Sequence, residues 1–446
     1  MDSIFHSTGE PLLLPVRRSG SDSPQRGSIS EEEAFVLRQQ IKLADAIRKK
    51  RLAPGLSLKQ PLDRTPERVE KATLAIEANL SRLELSTKVD KDIFVKRVLN
   101  EIFGLGPLEH LMAQERLTEV MVNGPWNVFV EKDGKMFECG HKFLHDEHVE
   151  RVIQRIVRPL GRVASADNPF VDARLSDGSR VNAVLPPCGI NGPSITIRRF
   201  LQDMMTMKDL VSRLTLSPSM ATFLEALVKS RHSIIVSGGT GSGKTTLVNA
   251  LSRHISDDER IVVVEDAAEL QLTQRNVICL ETKLPTIDSP TRICTRDCVI
   301  NALRMRPDRI IVGECRSGEA LDMLQAMNTG HDGSMTTIHA NSPRDCLSRL
   351  ETCVLMSGVD LPIMTIRRQV VSAVQYIVQL VRHHDGSRKI SHVTECCRME
   401  GEVVILNDIF VCDEHGRHQP TGNRPSQIDR LTQCGFKLPT NMFLAR

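Results

Sequence analysis

A glycine-rich run that ends in lysine and threonine is the part of the sequence best suited to chemistry. It fits the phosphate-loop pattern G-x-x-x-x-G-K-[ST] and consists of Gly238, Gly239, Thr240, Gly241, Ser242, Gly243, Lys244 and Thr245. Residues 233–236 predict a strand before it and residues 244–254 a helix after it, which is the context that this motif requires. Glycines let successive backbone N–H groups point at phosphate oxygens, and the start of a helix adds a favourable field.

This loop predicts binding of a nucleoside triphosphate together with a metal ion. We expect Lys244 to bind the β- and γ-phosphates, Thr245 to hold Mg²⁺ and Thr246 to contact the α-phosphate. ATP and Mg²⁺ are therefore the predicted cofactors. The alternative is a glycine-rich turn without a ligand.

An apolar strand over 310–312 leads into Gly313 and Glu314. A parallel sheet would bring Glu314 beside the γ-phosphate, where its carboxylate could polarise the attacking water and, with Thr245, face the metal. Because Gly313 occupies the usual aspartate position of this motif, the metal must rely on Thr245, phosphates and water. The alternative for Glu314 is a solvated strand end.

A second apolar strand, over 261–264, ends in Glu265 and Asp266, and Glu269 follows one turn later. These acids are candidates for contact with the water shell of the metal. Capping of a following helix is a second role for Asp266 that does not exclude the first.

Two histidines and several arginines complete the candidate set. His339 at a strand end could bond the γ-phosphate, as could His331, but a structural role is the alternative for both. Arg174, Arg180 and Arg198 suit phosphate recognition, because a guanidinium binds two oxygens and stays charged. Surface solubility is their alternative role.

The composition is that of an ordinary globular protein and excludes several classes. The chain has 446 residues, 40% hydrophobic and 25% charged, a length that predicts two or three domains. A net charge of +3 and an aromatic content of 3% argue against nucleic-acid binding, so we expect no direct nucleic-acid partner. We also expect no transmembrane segment and no secretory signal, and we interpret the twelve cysteines as reduced and mostly buried.

Composition and periodicity divide the chain into five predicted segments. They are a disordered leader over 1–30, a helical region over 31–84, a mixed α/β domain over 85–202, a linker over 203–216 and an α/β domain over 217–446. In the last segment, helices alternate with continuous apolar strands, which predicts a mostly parallel, doubly wound sheet.

The phosphate loop and several other motifs of the sequence resemble those of the ATPases of the type II/type IV secretion superfamily, and most closely those of the CpaF-like ATPases of the tight-adherence (Flp) pilus. The resemblance covers residues 85–446. It rests on the phosphate loop and on further runs: Phe103-Gly104-Leu105-Gly106-Pro107-Leu108, Glu119-Val120-Met121-Val122-Asn123-Gly124, residues 172–182, Ile195-Thr196-Ile197-Arg198-Arg199-Phe200, Glu265-Asp266-Ala267-Ala268-Glu269, residues 306–314, His339-Ala340-Asn341-Ser342-Pro343 and residues 399–410.

The resemblance implies a RecA-like ATPase domain in a homo-hexamer, with ATP between the two domains of a subunit. It implies nucleotide contacts from Arg174, Arg180 and Arg198 and a sensor role for His339. Arg292, Arg296 and Arg304 lie where such enzymes carry arginines that complete a neighbouring site, and Lys283 stands where the family commonly has arginine.

The implied role is a motor on the cytoplasmic face of the inner membrane. It would dock on polytopic platform proteins and act indirectly on prepilin. A type IV secretion ATPase that moves protein or DNA is the nearest alternative, followed by a nucleic-acid translocase and a ring that binds nucleotide without hydrolysing it.

Overall fold

The computed structural model describes residues 13–15, 29–49, 52–53, 64–83, 85, 89–200, 205–285 and 289–445. The chain forms two compact units: unit 1 is Met1–Leu201 with Thr286–Pro290, and unit 2 is Gln202–Pro285 with Thr291–Arg446. Each unit has hydrophobic cores of its own.

Three helices at the start of unit 1 share one core: α1 (Glu31–Arg48), α2 (Pro66–Leu80) and α3 (Lys91–Phe103). Ser30 caps α1, because its hydroxyl accepts the N–H of Glu33 while the Glu33 carboxylate accepts the N–H of Ser30. Phe94 of α3 lies in the same buried cluster as Ile47 of α1 and Ile76 of α2. The apolar residues at helical spacing therefore form the core of a small helical bundle.

The rest of unit 1 is an antiparallel sheet in the order β1-β4-β3-β2-β7-β6-β5 with two short helices. Its elements are β1 (Leu13–Pro15), α4 (Glu109–Met112), β2 (Leu117–Asn123), β3 (Val128–Lys132), β4 (Lys135–Cys139), α5 (Asp146–Val157), β5 (Phe170–Arg174), β6 (Arg180–Val184) and β7 (Ser194–Arg198). Asp133 and Gly134, both at positive φ, form the turn that joins β3 to β4.

The predicted disordered leader over 1–30 is wrong in part. Leu13–Pro15 forms β1 and pairs antiparallel with β4, because the backbone groups at the edge of that sheet accept another strand. Ser30 belongs to the cap of α1. Residues 1–12 and 16–28 lie outside the described residues.

A buried ionic cluster connects α3 to α5. Glu101 Oε1 lies 3.0 Å from His148 Nε2, and Glu101 Oε2 lies 3.4 Å from Arg155 Nη2. Burial acts to raise the pKa of Glu101, but the charges and hydrogen bonds of His148 and Arg155 outweigh burial and lower this pKa to about 2. The Glu101 carboxylate is therefore ionised at neutral pH.

Unit 2 is built on a nine-stranded sheet in the order β10-β9-β11-β12-β8-β13-β14-β15-β16. Its strands are β8 (Ile234–Gly238), β9 (Ile261–Glu265), β10 (Val277–Glu281), β11 (Arg309–Val312), β12 (Met335–Ile338), β13 (Tyr376–Arg382), β14 (Arg388–Glu400), β15 (Val403–Cys412) and β16 (His418–Pro420). Its helices are α6 (Met207–Ser212), α7 (Pro218–Lys229), α8 (Lys244–Ser252), α9 (Thr295–Ala302), α10 (Glu319–Asn328), α11 (Pro343–Leu355), α12 (Ile363–Ala373) and α13 (Ile428–Gln433).

The predicted α/β class with a mostly parallel, doubly wound sheet is confirmed. Neighbouring strands pair in parallel along the series β10, β9, β11, β12, β8 and β13. Successive residues of β8, such as Ile234 and Ile235, enter separate cores on the two faces of the sheet. The last three strands pair antiparallel, a feature that the alternation of helix and strand did not predict.

The described part of the segment predicted as a linker packs into unit 2. Met207, Leu210 and Leu216 lie in the core on one face of its sheet. Within the described part of the chain, none of the helices is both long and apolar enough to cross a bilayer.

Candidate functional site

The phosphate loop joins β8 to α8 at the carboxyl edge of the parallel strands. Gly241 and Gly243 adopt positive φ of 69° and 97°, which favours glycine because a Cβ would strain the backbone. A Cβ at Gly238 would lie 2.6 Å from the carbonyl oxygen of Leu380. Glycine is therefore required at 241 and 243 by the backbone conformation, and at 238 by the close approach of β13.

Lys244, the first residue of α8, is held within the loop that it follows. Its Nζ donates to the carbonyl oxygens of Gly238 at 3.1 Å and Gly239 at 3.0 Å, and the side chain is largely buried. His339 Nε2 lies 3.3 Å from the same Nζ. The structure thus brings together two of the predicted site residues from separate strand ends.

Glu314 lies on the other side of His339, as the parallel order of β11 and β12 requires. Its Oε1 is 3.2 Å from His339 Nε2, and its Oε2 is 2.6 Å from Arg316 Nη2. Burial acts to raise the pKa of Glu314, but Arg316, His339 and Lys244 together lower it below the ordinary value. A carboxylate next to the phosphate-loop lysine can act as a base toward water.

His339, which lies between Lys244 and Glu314, favours its neutral form. Burial lowers the pKa of His339, and the positive charge of Lys244 lowers it further, against the opposing effect of Glu314. A neutral imidazole suits a hydrogen-bonding role between the loop and the carboxylate.

The three acids at the end of β9 have different contacts. Glu265 is buried, and its Oε1 accepts the backbone N–H groups of Glu269 at 3.0 Å and Leu270 at 3.1 Å. Glu269 in turn lies with Oε2 3.3 Å from the hydroxyl of Thr245. Glu265 therefore fixes the turn that carries Glu269, and Glu269 is the acid of this group that touches the loop.

Oxygen donors suited to Mg²⁺ meet at this point. Thr245 Oγ1 and the Glu269 carboxylate are the hard ligands that Mg²⁺ prefers, directly or through water. Asp266 faces elsewhere: its Oδ1 accepts the hydroxyl of Thr295 at 2.6 Å, and its Oδ2 is 3.7 Å from Arg316 Nη1. The residues present therefore fit a magnesium ion on Thr245 and Glu269.

Arg296 is bound within the body of unit 2. Its Nε donates to Asp322 at 2.8 Å and its Nη1 to the carbonyl of Ser357 at 2.9 Å. It lines a cavity of about 310 Å³ with Arg292 and Arg316. The structure thus places Arg296 as a tie between α9 and α10 at that cavity.

The three arginines predicted in unit 1 stand in one row. Arg174, Arg180 and Arg198 are direct cross-strand partners on β5, β6 and β7. Directly opposite residues share a face of the sheet, and like charges opposite one another are unfavourable. The row therefore brings three guanidinium groups to one face of the sheet of unit 1.

A cavity of about 230 Å³ adjoins the loop in unit 2. The loop and α8 contribute Ser242, Thr246 and Leu247, and the facing side contributes Leu380 and Arg388, among others. Mixed apolar and polar walls beside a phosphate loop suit the nucleoside part of a nucleotide.

Sequence reasoning missed Arg316, which contacts Glu314 and faces Asp266. Its position two residues after Glu314 on the same strand end was the available signal. All twelve cysteines are free thiols, and the described residues contain no group of three metal-binding side chains.

Comparison with known proteins gives the family. The model for "Type II/IV secretion system protein" matches residues 101–422. The conjugal transfer protein TrbB of Rhizobium radiobacter is 34% identical over 289 residues, covering 64% of this chain and 84% of that protein. The type IV secretion system protein PtlH of Bordetella pertussis is 32% identical over 313 residues, covering 64% and 92%.

Among solved structures, the VirB11 ATPase of the Brucella suis type IV secretion system is 30% identical and covers 65% of this chain and 96% of that chain, with a TM-score of 0.36. The match of the family model spans well over half of the sequence. The chain belongs to the type II/IV secretion system protein family.

Proposed function

We propose that the protein is a Mg²⁺-dependent ATP hydrolase that drives a secretion or pilus machine. The observation that carries this proposal is the contact series from Lys244 through His339 to Glu314, beside a phosphate loop. Membership of the secretion family supports it.

In this mechanism, the backbone N–H groups of the loop and Lys244 bind the phosphates, and Glu314 accepts a proton from the attacking water. His339 positions Glu314 through its Nε2. Thr245 and Glu269 would hold Mg²⁺, which would supply positive charge to stabilise the negative charge that develops on the phosphates. The nucleoside would occupy the cavity bounded by Leu247 and Leu380.

The row of Arg174, Arg180 and Arg198 would supply further phosphate contacts in the assembled enzyme. Arg296, Asp266 and their cavity would face a neighbouring subunit of a homo-hexamer.

We assign the machine to the tight-adherence (Flp) pilus, with the motor at the cytoplasmic face of the inner membrane on polytopic platform proteins and prepilin as the indirect client. The second candidate is a type IV secretion system, which the relatives named for conjugal transfer and for type IV secretion favour.

Phosphate release from ATP with Mg²⁺ tests the chemistry. We expect Glu314→Gln to bind ATP and to turn over about 10²–10⁴-fold more slowly, because the base is lost. Lys244→Ala is expected to lose nucleotide affinity, and Glu414→Gln, at an exposed turn, serves as the matched control. Turnover like that of the wild type in both site variants would refute the mechanism.

Affinity purification of the Glu314→Gln protein with ATP from solubilised membranes of its source tests the machine. Recovery of platform proteins with prepilin supports the pilus. Recovery of conjugation-type channel components or DNA would assign the motor to type IV secretion.

A further inference from the structure

The hairpin between β13 and β14 reaches over the phosphate loop. Strand β13 pairs in parallel with β8 and extends past its end, since Leu380 is the partner of Gly238. The turn is fixed by Asp385, whose Oδ1 accepts the N–H and the hydroxyl of Ser387. Gly386, at a φ of 86°, completes the turn. The start of β14 is therefore held in a defined position at the loop.

Two arginines of this hairpin meet the loop at a single glycine. Arg388 Nε donates to the carbonyl oxygen of Gly241 at 2.8 Å. A Cβ at Gly241 would lie 3.1 Å from Arg382 Nη1, so this guanidinium packs directly on the glycine. A Cβ at Gly243 would lie 3.4 Å from Arg388 Cδ.

Both arginines bring positive charge to the loop. Arg382 and Arg388 are direct cross-strand partners, and both are exposed. Positive charge beside a phosphate loop favours the binding of an anion there. The loop that they touch is the predicted site of a triphosphate.

The hairpin also connects the loop to residues 205–216, the segment that precedes α7. The N–H of Ile390 donates to the carbonyl of Thr215 at 2.8 Å, two residues after the contact of Arg388 with Gly241. Arg388 and Thr215 both line the cavity beside the loop. A short series of hydrogen bonds therefore connects the loop at Gly241 to Thr215.

We propose that the β13–β14 hairpin is a clamp on the phosphate loop, in which Arg388 is a positioning residue acting through the Gly241 carbonyl and Arg382 adds positive charge for a nucleoside di- or triphosphate. The proposal rests on the proposed function, because it assigns this role at the same nucleotide site. The clamp holds the loop in its binding conformation, so it stabilises substrate and transition state alike.

Titration with a fluorescent ADP analogue measures the clamp directly. Arg388→Gln is expected to weaken binding about ten-fold, the usual effect of losing one charge-assisted hydrogen bond. Its KM for ATP should rise by the same factor while kcat stays within about two-fold. Arg388→Lys keeps one charged donor and should show an intermediate affinity.

Arg417→Gln is the matched control. Arg417 ends the turn of the β15–β16 hairpin in the same sheet and pairs with Asp413 at 3.0 Å. Hydrogen exchange adds a second readout: ADP should protect residues 205–216 and 383–390 in the wild type and in Arg417→Gln, and this protection should be reduced in Arg388→Gln.

The outcomes separate this inference from the proposed function. If the wild type binds ADP and Arg388→Gln binds it equally well, the clamp is refuted while the ATPase proposal stands. If the wild type binds ADP without hydrolysing ATP, the ATPase proposal fails and the affinities still decide the clamp. If the wild type binds no ADP, both are overturned.

Discussion

Removal of the Glu259 carboxylate is expected to destabilise unit 2 strongly. Arg309, the first residue of β11, is fully buried, and its Nε and Nη2 donate to Glu259 at 2.7 and 2.8 Å. Its Nη1 donates to the carbonyls of Val228 at 2.9 Å and Gly333 at 3.3 Å. Glu259→Ala would leave this guanidinium buried with neutral acceptors, which costs about 3–5 kcal/mol.

Hydrogen exchange of peptides that contain residues 309–312 reports this loss. At about 1.4 kcal/mol per factor of ten, exchange should accelerate by roughly two to three and a half powers of ten. The control is Glu225→Ala, which breaks an exposed pair with Lys229 and should cost about 0.3–0.5 kcal/mol. An effect of Glu259→Ala as small as that of Glu225→Ala would refute the reasoning.

Two further predictions concern carboxylates in other places. The folded-state pKa of Glu101 is lowered to about 2 from 4.5, so its stabilisation of unit 1 is present above pH 4.5 and lost as the pH falls toward 2. Glu101→Gln should therefore flatten this part of a curve of unfolding free energy against pH. An unchanged slope would contradict the ionic cluster. Gly313→Ala would place a Cβ 2.7 Å from Glu265 Cγ and displace the carboxylate that fixes the turn of Glu269. The Mg²⁺ concentration for half-maximal phosphate release should therefore rise about ten-fold. An unaltered Mg²⁺ dependence would show that Glu265 has no such role.

Local patterns predicted the elements around the loop well, because each depends on residues near one another in sequence. The strand Ile261–Glu265 and the helix from Lys244 follow from apolar runs and the motif itself. The antiparallel extension of β14 to β16 did not follow, because its pairing is decided by long-range packing on the sheet. The sequence analysis assigns no element to Tyr376–Arg382, yet it is the strand next to β8.

The site shows the same limit at the level of side chains. Three acids at the end of β9 are indistinguishable in the sequence. Only the folded turn separates Glu265, which accepts backbone N–H groups, from Glu269, which reaches Thr245. Arg388 contacts Gly241 across 147 positions of the chain, so no local spacing could indicate it.

A single nitrogen lies within reach of both the phosphate-loop lysine and the Glu314 carboxylate. His339 Nε2 lies 3.3 Å from Lys244 Nζ and 3.2 Å from Glu314 Oε1. In the neutral ring this nitrogen either accepts from the lysine or donates to the carboxylate, but it does not do both, since it carries at most one proton. In the proposed mechanism, a triphosphate that binds the ammonium of Lys244 would remove the competing donor, so that the Nε2 proton would be directed to Glu314. The carboxylate would then gain a fixed orientation only with substrate bound, and the spacing of these three side chains would couple binding to hydrolysis.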